Sequence, residues 1–280
     1  RKRDVAAGII TEGRLVTIKS QLNWILRIKG GDLKIGELGR DSFYDWRLER
    51  REQSPAVSDV TIRNETATIN ALCKWGHREG HIAFDSFNIR PLSIRQDQVG
   101  RRGTFTLEQY DDLVRYMRSY VSKKHCPDEI QRKERLLIRD YILISSNTLL
   151  RVGEARQLTW GDIEKVDVVY DDNEKPTKLV YLNVRSETSK VRTNRKVVSR
   201  GGEYFERLRE RQEFTTKKHL IFSLDGENPL PARRWQKHWR NLMDGIELDD
   251  WKMQKIEWYS LRHFGITCRV KAGVSPLDIS

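Results

Sequence analysis

From Arg14 to Lys29 the apolar residues Leu15, Ile18, Leu22, Ile25 and Leu26 recur three and four positions apart, the spacing that places side chains on one face of an α-helix. Ile62, Ile69, Leu72 and Trp75 repeat at helical steps further on, and Asp41 to Glu52, with Phe43, Trp46 and Leu48, predicts a third, weaker helix. The first part of the chain therefore reads as a small helical bundle. It closes at "FNIRPLS", where Pro91 restricts its predecessor and cannot continue a helix.

Residues 94–104, within "SIRQDQVGRRGT", are polar and basic with two glycines and little periodicity, which predicts an interdomain linker between domains at 1–93 and 105–280. Thr106 followed three residues later by Gln109 is a capping box opening a helix through Leu113 and Met117. After the charged stretch Ser122 to Glu134, "RLLIRDYILISSNTLL" predicts a buried helix feeding into Arg151. Past Glu164 the period becomes that of strands: "VDVVY", "KLVYLNV" and "RKVVS" are valine-rich and separated by polar turns, as in a small antiparallel sheet. Helical patterns return from Glu203, with "PARRWQKHWRNLM" amphipathic and "SLRHFGITCRVKAG" largely apolar and ended by Gly273. The expected fold is mainly α with one three-stranded antiparallel sheet.

Charge adds a partner to this picture. The chain of 280 residues carries 52 Lys+Arg against 40 Asp+Glu, a net charge of +12, and both predicted domains share the excess. A protein this basic favours a polyanion, because each cation beside a phosphate releases condensed counterions. No apolar run is long enough for a membrane span, and Arg1-Lys2-Arg3-Asp4 lacks the apolar core of a signal peptide. Three well-separated cysteines argue against a disulfide framework. A soluble, cytoplasmic protein associated with nucleic acid and with no membrane partner is the expectation.

Three basic side chains stand out by placement. Arg151 ends an apolar run, Lys190 lies in the turn of "ETSKVRTNRKVV", and Arg262 is flanked by Leu261 and Phe264. An arginine in apolar surroundings is costly unless its charge is paired. Arg151 has a candidate partner in Glu154; Arg262 has no acid within a helical turn, which makes a ligand oxyanion attractive there. Tyr259, three positions before Arg262, reads equally as a nucleophile, a phosphate-binding side chain or a core aromatic with a polar tip. Cys73, His77 and His81 form C-x3-H-x3-H without a fourth ligand nearby and read as a helix end rather than a metal site. Asp171, Asp172 and Glu174 fall in a turn and read as a solvated loop rather than a two-metal site.

The segment "NTLLRVGEARQLTWGDI" resembles the first arginine box of the tyrosine recombinases (the phage-integrase family), roughly T-G-L-R-x-x-E-x-x-x-L-x-W-x-D-I. Thr148, Leu150, Arg151, Glu154, Leu158, Trp160, Asp162 and Ile163 fall in register. "TSKVRTNRKVV" resembles the family's lysine hairpin, and "YSLRHFGITCRVKAGVS" its second box, H-x-L-R-H-T. The helical first part is similar to the family's core-binding (SAM-like) DNA-binding domain.

The resemblance implies that a tyrosine attacks a DNA phosphodiester to give a 3'-phosphotyrosyl bond and a free 5'-hydroxyl, reversed by a second strand's hydroxyl. No metal or other cofactor is implied. Arg151 and Arg262 would stabilise the phosphorane-like transition state, since forked guanidiniums suit its non-bridging oxygens, and Lys190 would protonate the leaving 5'-oxygen. Glu154 and His263 would support these groups. The implied partner is a double-stranded DNA recombination site, bound by a homotetramer on paired sites; off DNA the protein would be a monomer or dimer.

Three features depart from the family pattern. Leu149 stands where glycine is usual. Tyr259 stands where histidine or lysine is usual; a phenol with a pKa near 10 can donate a hydrogen bond to phosphate but is a poor proton shuttle at neutral pH. The final box, with its Gly-His pair and nucleophilic tyrosine, does not occur in the 18 residues after Arg262, and is expected past Ser280. A strand-exchanging integrase, excisive or transposon recombinase of a mobile genetic element is the preferred reading. The rivals are a catalytically inactive site-specific DNA-binding protein of the same fold and a type IB topoisomerase-like nicking enzyme. Lys19, Arg63 and Lys74 on bundle helices, Arg95, Arg101 and Arg102 in the linker, and Arg192 and Arg195 on the hairpin are the candidate DNA contacts.

Overall fold

The computed structural model describes residues 2–93, 102–170, 173–188 and 193–275, which form two compact units dividing after Gly100. In the first unit the helices are α1 (Lys2–Ala6), α2 (Glu12–Lys29), α3 (Trp46–Gln53) and α4 (Asp59–Arg78). Thr11 and Ser58 cap α2 and α4 by accepting the amides of Arg14 and Thr61, each 3.2 Å away. Ile25, Phe43, Trp46, Ile62, Ile69, Cys73, Ile82 and Phe87 make the core.

Buried Glu65 in this core accepts Arg50 Nε at 3.1 Å and Trp46 Nε1 at 3.3 Å, and the Arg50 guanidinium lies 3.6 Å from the Trp24 ring centroid. The carboxylate is thus neutralised and hydrogen-bonded, the condition for tolerating a buried charge.

Two helical expectations shift. The helix predicted from Asp41 begins only at Trp46, because residues 41–46 form successive turns with Tyr44 bonded to Asp41 and Trp46 to Phe43. Those turns swing Phe43 into the core, 4.7 Å from the Phe87 ring. On α4 the buried stripe is Ile62, Glu65, Ile69, Cys73 and Gly76, while Leu72 and Trp75 are exposed. Repeated steps of three fall about 60° short of a full turn each, so that series drifts off the inner face.

The second unit contains α5 (Leu107–Tyr120), α6 (Glu129–Thr148), α7 (Val152–Arg156), β1 (Ile163–Tyr170), β2 (Pro176–Val184), β3 (Arg195–Arg200), α8 (Gly202–Arg211), α9 (Ala232–Gly245) and α10 (Ser260–Lys271). The sheet is antiparallel in the order β1-β2-β3, with Tyr170 opposite Pro176 and Val184 opposite Arg195. Val180, Leu182 and Val184 alternate into the core. The capping box of α5 is present, Thr106 accepting Gln109 N at 3.1 Å and Gln109 Oε1 accepting Thr106 N at 2.9 Å.

Helix α6 is the axis of this unit. Its buried Asp140 binds Arg139, Arg207 and Arg211, tying it to α8, and its buried Glu134 binds His238 Nε2 at 2.6 Å. His238 Nδ1 meets the Tyr120 hydroxyl at 2.7 Å, which joins α5 and α9 to α6 through polar groups that are all satisfied. Tyr141, Trp235, Trp239 and Trp258 pack edge-on or tilted at centroid distances of 4.4 to 5.5 Å. This aromatic block lies beside the start of α10, which begins two residues after Trp258. Among the described residues no helix is long and apolar enough to cross a membrane.

Candidate active site

The C-terminus of α6 and the N-terminus of α10 meet at one place, and their sequences explain how. Asn147 Nδ2 and Thr148 Oγ1 bond back to Leu143 O and Ile144 O, and Leu149 then adopts the left-handed conformation at φ 56°, ψ 23°. The reversal leaves the carbonyls of Asn147 and Leu149 outside the helical ladder. Two arginines of α10 supply their donors: Arg262 Nη1 bonds Leu149 O, and Arg269 Nη2 bonds Asn147 O. Cations at a helix C-terminus also complement its dipole.

Gly265 makes this approach possible. A Cβ there would lie 2.1 Å from Ser146 O and 2.4 Å from Leu149 Cδ2, so α10 can rest on the end of α6 only without a side chain at that position. The leucine in the usual glycine position thus fills the space above Gly265, at the cost of a left-handed backbone.

Arg151 follows as the N-cap of α7. Its backbone amide bonds Glu154 Oε2 at 2.9 Å and its Nη1 bonds Oε1 at 2.8 Å. Arg195, 41 positions later on β3, binds the same carboxylate with both terminal nitrogens, at 3.0 and 2.7 Å. Glu154 is 2% exposed. Burial pushes its carboxyl up, but the bonds from Arg195 and Arg151 outweigh it and hold the pKa at about 2. Burial and the neighbouring charge of Arg151 push Arg262 down from its ordinary value, placing the two guanidiniums in one electrostatic neighbourhood.

Tyr259 is half-buried at the N-cap of α10, outside the helix proper. The Arg102 guanidinium lies 4.9 Å from its ring centroid and the His263 ring packs edge-on at 4.9 Å. Burial, Arg102 and Arg262 each lower the His263 pKa, so this imidazole is neutral at neutral pH. Arg102 is fixed by its neighbour: Gly103 N bonds Gln254 O at 2.7 Å, so closely that a Cβ at Gly103 would lie 2.4 Å from that oxygen. Gly103, near the end of the predicted linker, is thus bonded to the loop before α10.

Of the predicted site residues, the fold brings Arg151, Glu154, Tyr259, Arg262 and His263 to one region. Arg195 joins them through Glu154 rather than standing free on the hairpin, and Arg102 joins them through Tyr259. Lys190, Arg95, Arg101 and Arg192 lie outside the described residues, as do Asp171 and Asp172. Lys19, Arg63 and Lys74 are exposed on α2 and α4. Cys73 Sγ and His77 Nδ1 face Phe84 O at 3.5 Å and Ile82 O at 3.0 Å, while His81 packs on Trp75. Arg269 was not singled out by sequence; its signal would have been its position seven residues after Arg262, on the same face of α10. Partly buried Tyr110, pushed up to about 12 chiefly by desolvation, bonds Ser146 at 2.5 Å and stacks on Phe264, a packing role.

This constellation suits an oxyanion. Two guanidiniums, one orienting carboxylate and a phenol frame an area where a phosphate oxygen would meet forked donors. No protein-family model and no curated protein matches the sequence. Solved structures do match its fold. The Tn1549 transposon integrase in complex with circular intermediate DNA is 17% identical with a TM-score of 0.61, over 99% of this chain and 87% of that one. The XerH site-specific recombinase bound to difH substrate, in a pre-cleavage complex, is 14% identical with a TM-score of 0.62, over 94% of this chain and 70% of that one. The chain has the tyrosine-recombinase fold, mainly helical with one three-stranded antiparallel sheet.

Proposed function

We propose that the protein is a site-specific DNA recombinase that cuts and rejoins strands through a 3'-phosphotyrosyl intermediate, with the attacking tyrosine supplied by sequence beyond Ser280. The observation that carries this reading is the convergence of Arg151, at the N-cap of α7, and Arg262, on α10 and bonded to the carbonyl two residues before Arg151, with half-buried Tyr259 at the start of the same helix. The fold neighbours are a transposon integrase solved with circular intermediate DNA and a site-specific recombinase solved with difH substrate, and the net charge of +12 fits a phosphodiester substrate.

In this reading a scissile phosphate binds between Arg151 and Arg262. Negative charge growing on its non-bridging oxygens in the transition state strengthens both contacts, which is what lowers the barrier. Glu154 orients Arg151, Tyr259 donates a hydrogen bond to the phosphate, and Lys190 delivers a proton to the leaving 5'-oxygen. Energy of the broken phosphodiester is kept in the phosphotyrosyl bond, so rejoining needs no external source.

The helical first unit acts as a core-binding domain and Lys19, Arg63 and Lys74 bind the DNA backbone. Strand exchange between two labelled duplexes tests the reading against its rivals. A protein extended through the next tyrosine yields hybrid duplexes if it is a recombinase; relaxation of a supercoil without hybrids identifies a topoisomerase-like enzyme, and binding alone a DNA-binding protein.

A further inference from the structure

We infer that Arg195 is a positioning residue for the strand-cleavage centre, acting through Glu154, and not a contact to the DNA backbone. The inference rests on the recombinase reading above. Both terminal nitrogens of Arg195 are directed to one buried carboxylate, at 3.0 and 2.7 Å, and its side chain is 23% exposed. A guanidinium committed in this way presents little of its fork to a phosphate.

The charge balance explains why a second arginine is needed. Glu154 alone would neutralise Arg151 one for one and weaken its attraction for phosphate. With Arg195 present, two guanidiniums share one carboxylate and the trio keeps a net positive charge. Glu154 is then held in place by four hydrogen bonds, two from Arg151 and two from Arg195, so it can fix the Arg151 side chain without cancelling it.

The position of Arg195 in the sheet gives the pair a second consequence. Arg195 opens β3 opposite Val184, at the base of the hairpin in which the sequence places Lys190. A parallel tie lies one residue past the end of β2, where Arg185 Nε meets Asp162 at 2.9 Å and its Nη2 bonds Gln157 O at 2.7 Å. Across the base, Ser186 N bonds Asn194 Oδ1 at 2.6 Å. The hairpin base is thus latched to the segment that carries Arg151 by an arginine on each side, Arg185 just after β2 and Arg195 at the start of β3.

Two measurements separate positioning from phosphate contact. In the 280-residue chain, Arg195→Ala should leave duplex affinity within about twofold and the slope of log affinity against log salt unchanged, whereas loss of one phosphate contact lowers that slope by roughly 0.9. In the protein extended through the attacking tyrosine, single-turnover cleavage of a nicked suicide duplex at saturating protein should fall by about tenfold to a hundredfold, as expected for a displaced catalytic group. Arg195→Lys should not restore it, because one ammonium cannot reproduce two parallel bonds.

The double variant Arg151→Ala/Arg195→Ala should cleave no more slowly than Arg151→Ala. Arg195→Gln serves in place of Arg195→Ala if thermal unfolding shows the latter unfolded at the assay temperature. A reduced salt slope with unchanged cleavage at saturation, or effects that multiply in the double variant, would overturn the inference. Cleavage that survives Arg151→Ala and Arg262→Ala, or that never occurs in the extended protein, would instead remove the recombinase reading itself.

Discussion

Arg262 donates from Nη1 to the carbonyl of Leu149, the residue at which α6 turns into the left-handed conformation. One bond thereby ties α10, which carries Arg262, to the end of α6, two residues before Arg151. It also makes the backbone of residues 146–151 part of the site, so changes at non-polar positions reach the chemistry.

Gly265→Ala should be severely damaging. The added methyl would meet Ser146 O at 2.1 Å and Leu149 Cδ2 at 2.4 Å; backbone oxygen cannot yield, so α10 must shift. Overpacking of this kind costs about 1–3 kcal/mol, and the shift would carry Arg262 with it. Denaturant unfolding should show the loss, and cleavage by the extended protein should fall further than stability alone explains.

Leu149→Gly should destabilise despite relieving the backbone. Freeing the left-handed residue returns roughly 1–2 kcal/mol, but deleting a 6%-exposed leucine costs about 2–5 kcal/mol on the scale of Leu→Ala changes. The packing loss outweighs the relief, by up to about 4 kcal/mol on those ranges. An unchanged or raised denaturation midpoint would show that the backbone strain dominates.

Glu154→Gln tests the shared carboxylate through pH. The folded-state value of about 2 lies below the ordinary 4.5, so ionised Glu154 stabilises the fold above about pH 4.5 and loses that contribution as pH falls towards 2. At neutral pH the variant should be less stable by about 3 kcal/mol, the cost of breaking a buried pair. Because only the wild type loses this term in acid, the gap should narrow below pH 4.5; a constant gap would contradict the assigned ionisation.

Arg102→Ala should loosen Tyr259 with little effect on the fold. An exposed cation–π contact is worth about 0.5–1 kcal/mol, and Arg102 is the linker-side neighbour of the phenol, 4.9 Å from the ring centroid. Cleavage by the extended protein should drop about two- to fivefold on that scale, and the drop should vanish when Tyr259 is already phenylalanine. Equal drops in both backgrounds would place Arg102 on the DNA instead.

The pattern of periods made the element types legible: strands where valines alternate past Glu164, helices where apolar residues recur at three and four. Arg151 and Arg262 were legible because each interrupts an apolar run with a charge that needs a partner. What the pattern did not show is set by contacts distant in sequence. Arg195 meets Glu154 across 41 positions and Arg262 meets Leu149 across 113, so no local period marks either pair. Leu149 gives no turn signal, since a leucine predicts helix where the chain in fact reverses. The start of α3 was missed because a run of turns over residues 41–46 carries the same apolar spacing as one helical turn.

Covalent capture is the most direct test of the recombinase account. The protein extended through the next tyrosine of its reading frame is incubated with a nicked suicide duplex, and adducts are resolved under denaturing conditions. The account predicts a protein–DNA adduct through that downstream tyrosine, abolished by Arg151→Ala or Arg262→Ala and retained in Tyr259→Phe. An adduct lost in Tyr259→Phe while the downstream tyrosine is dispensable, or no adduct from a folded, DNA-binding protein, would contradict it.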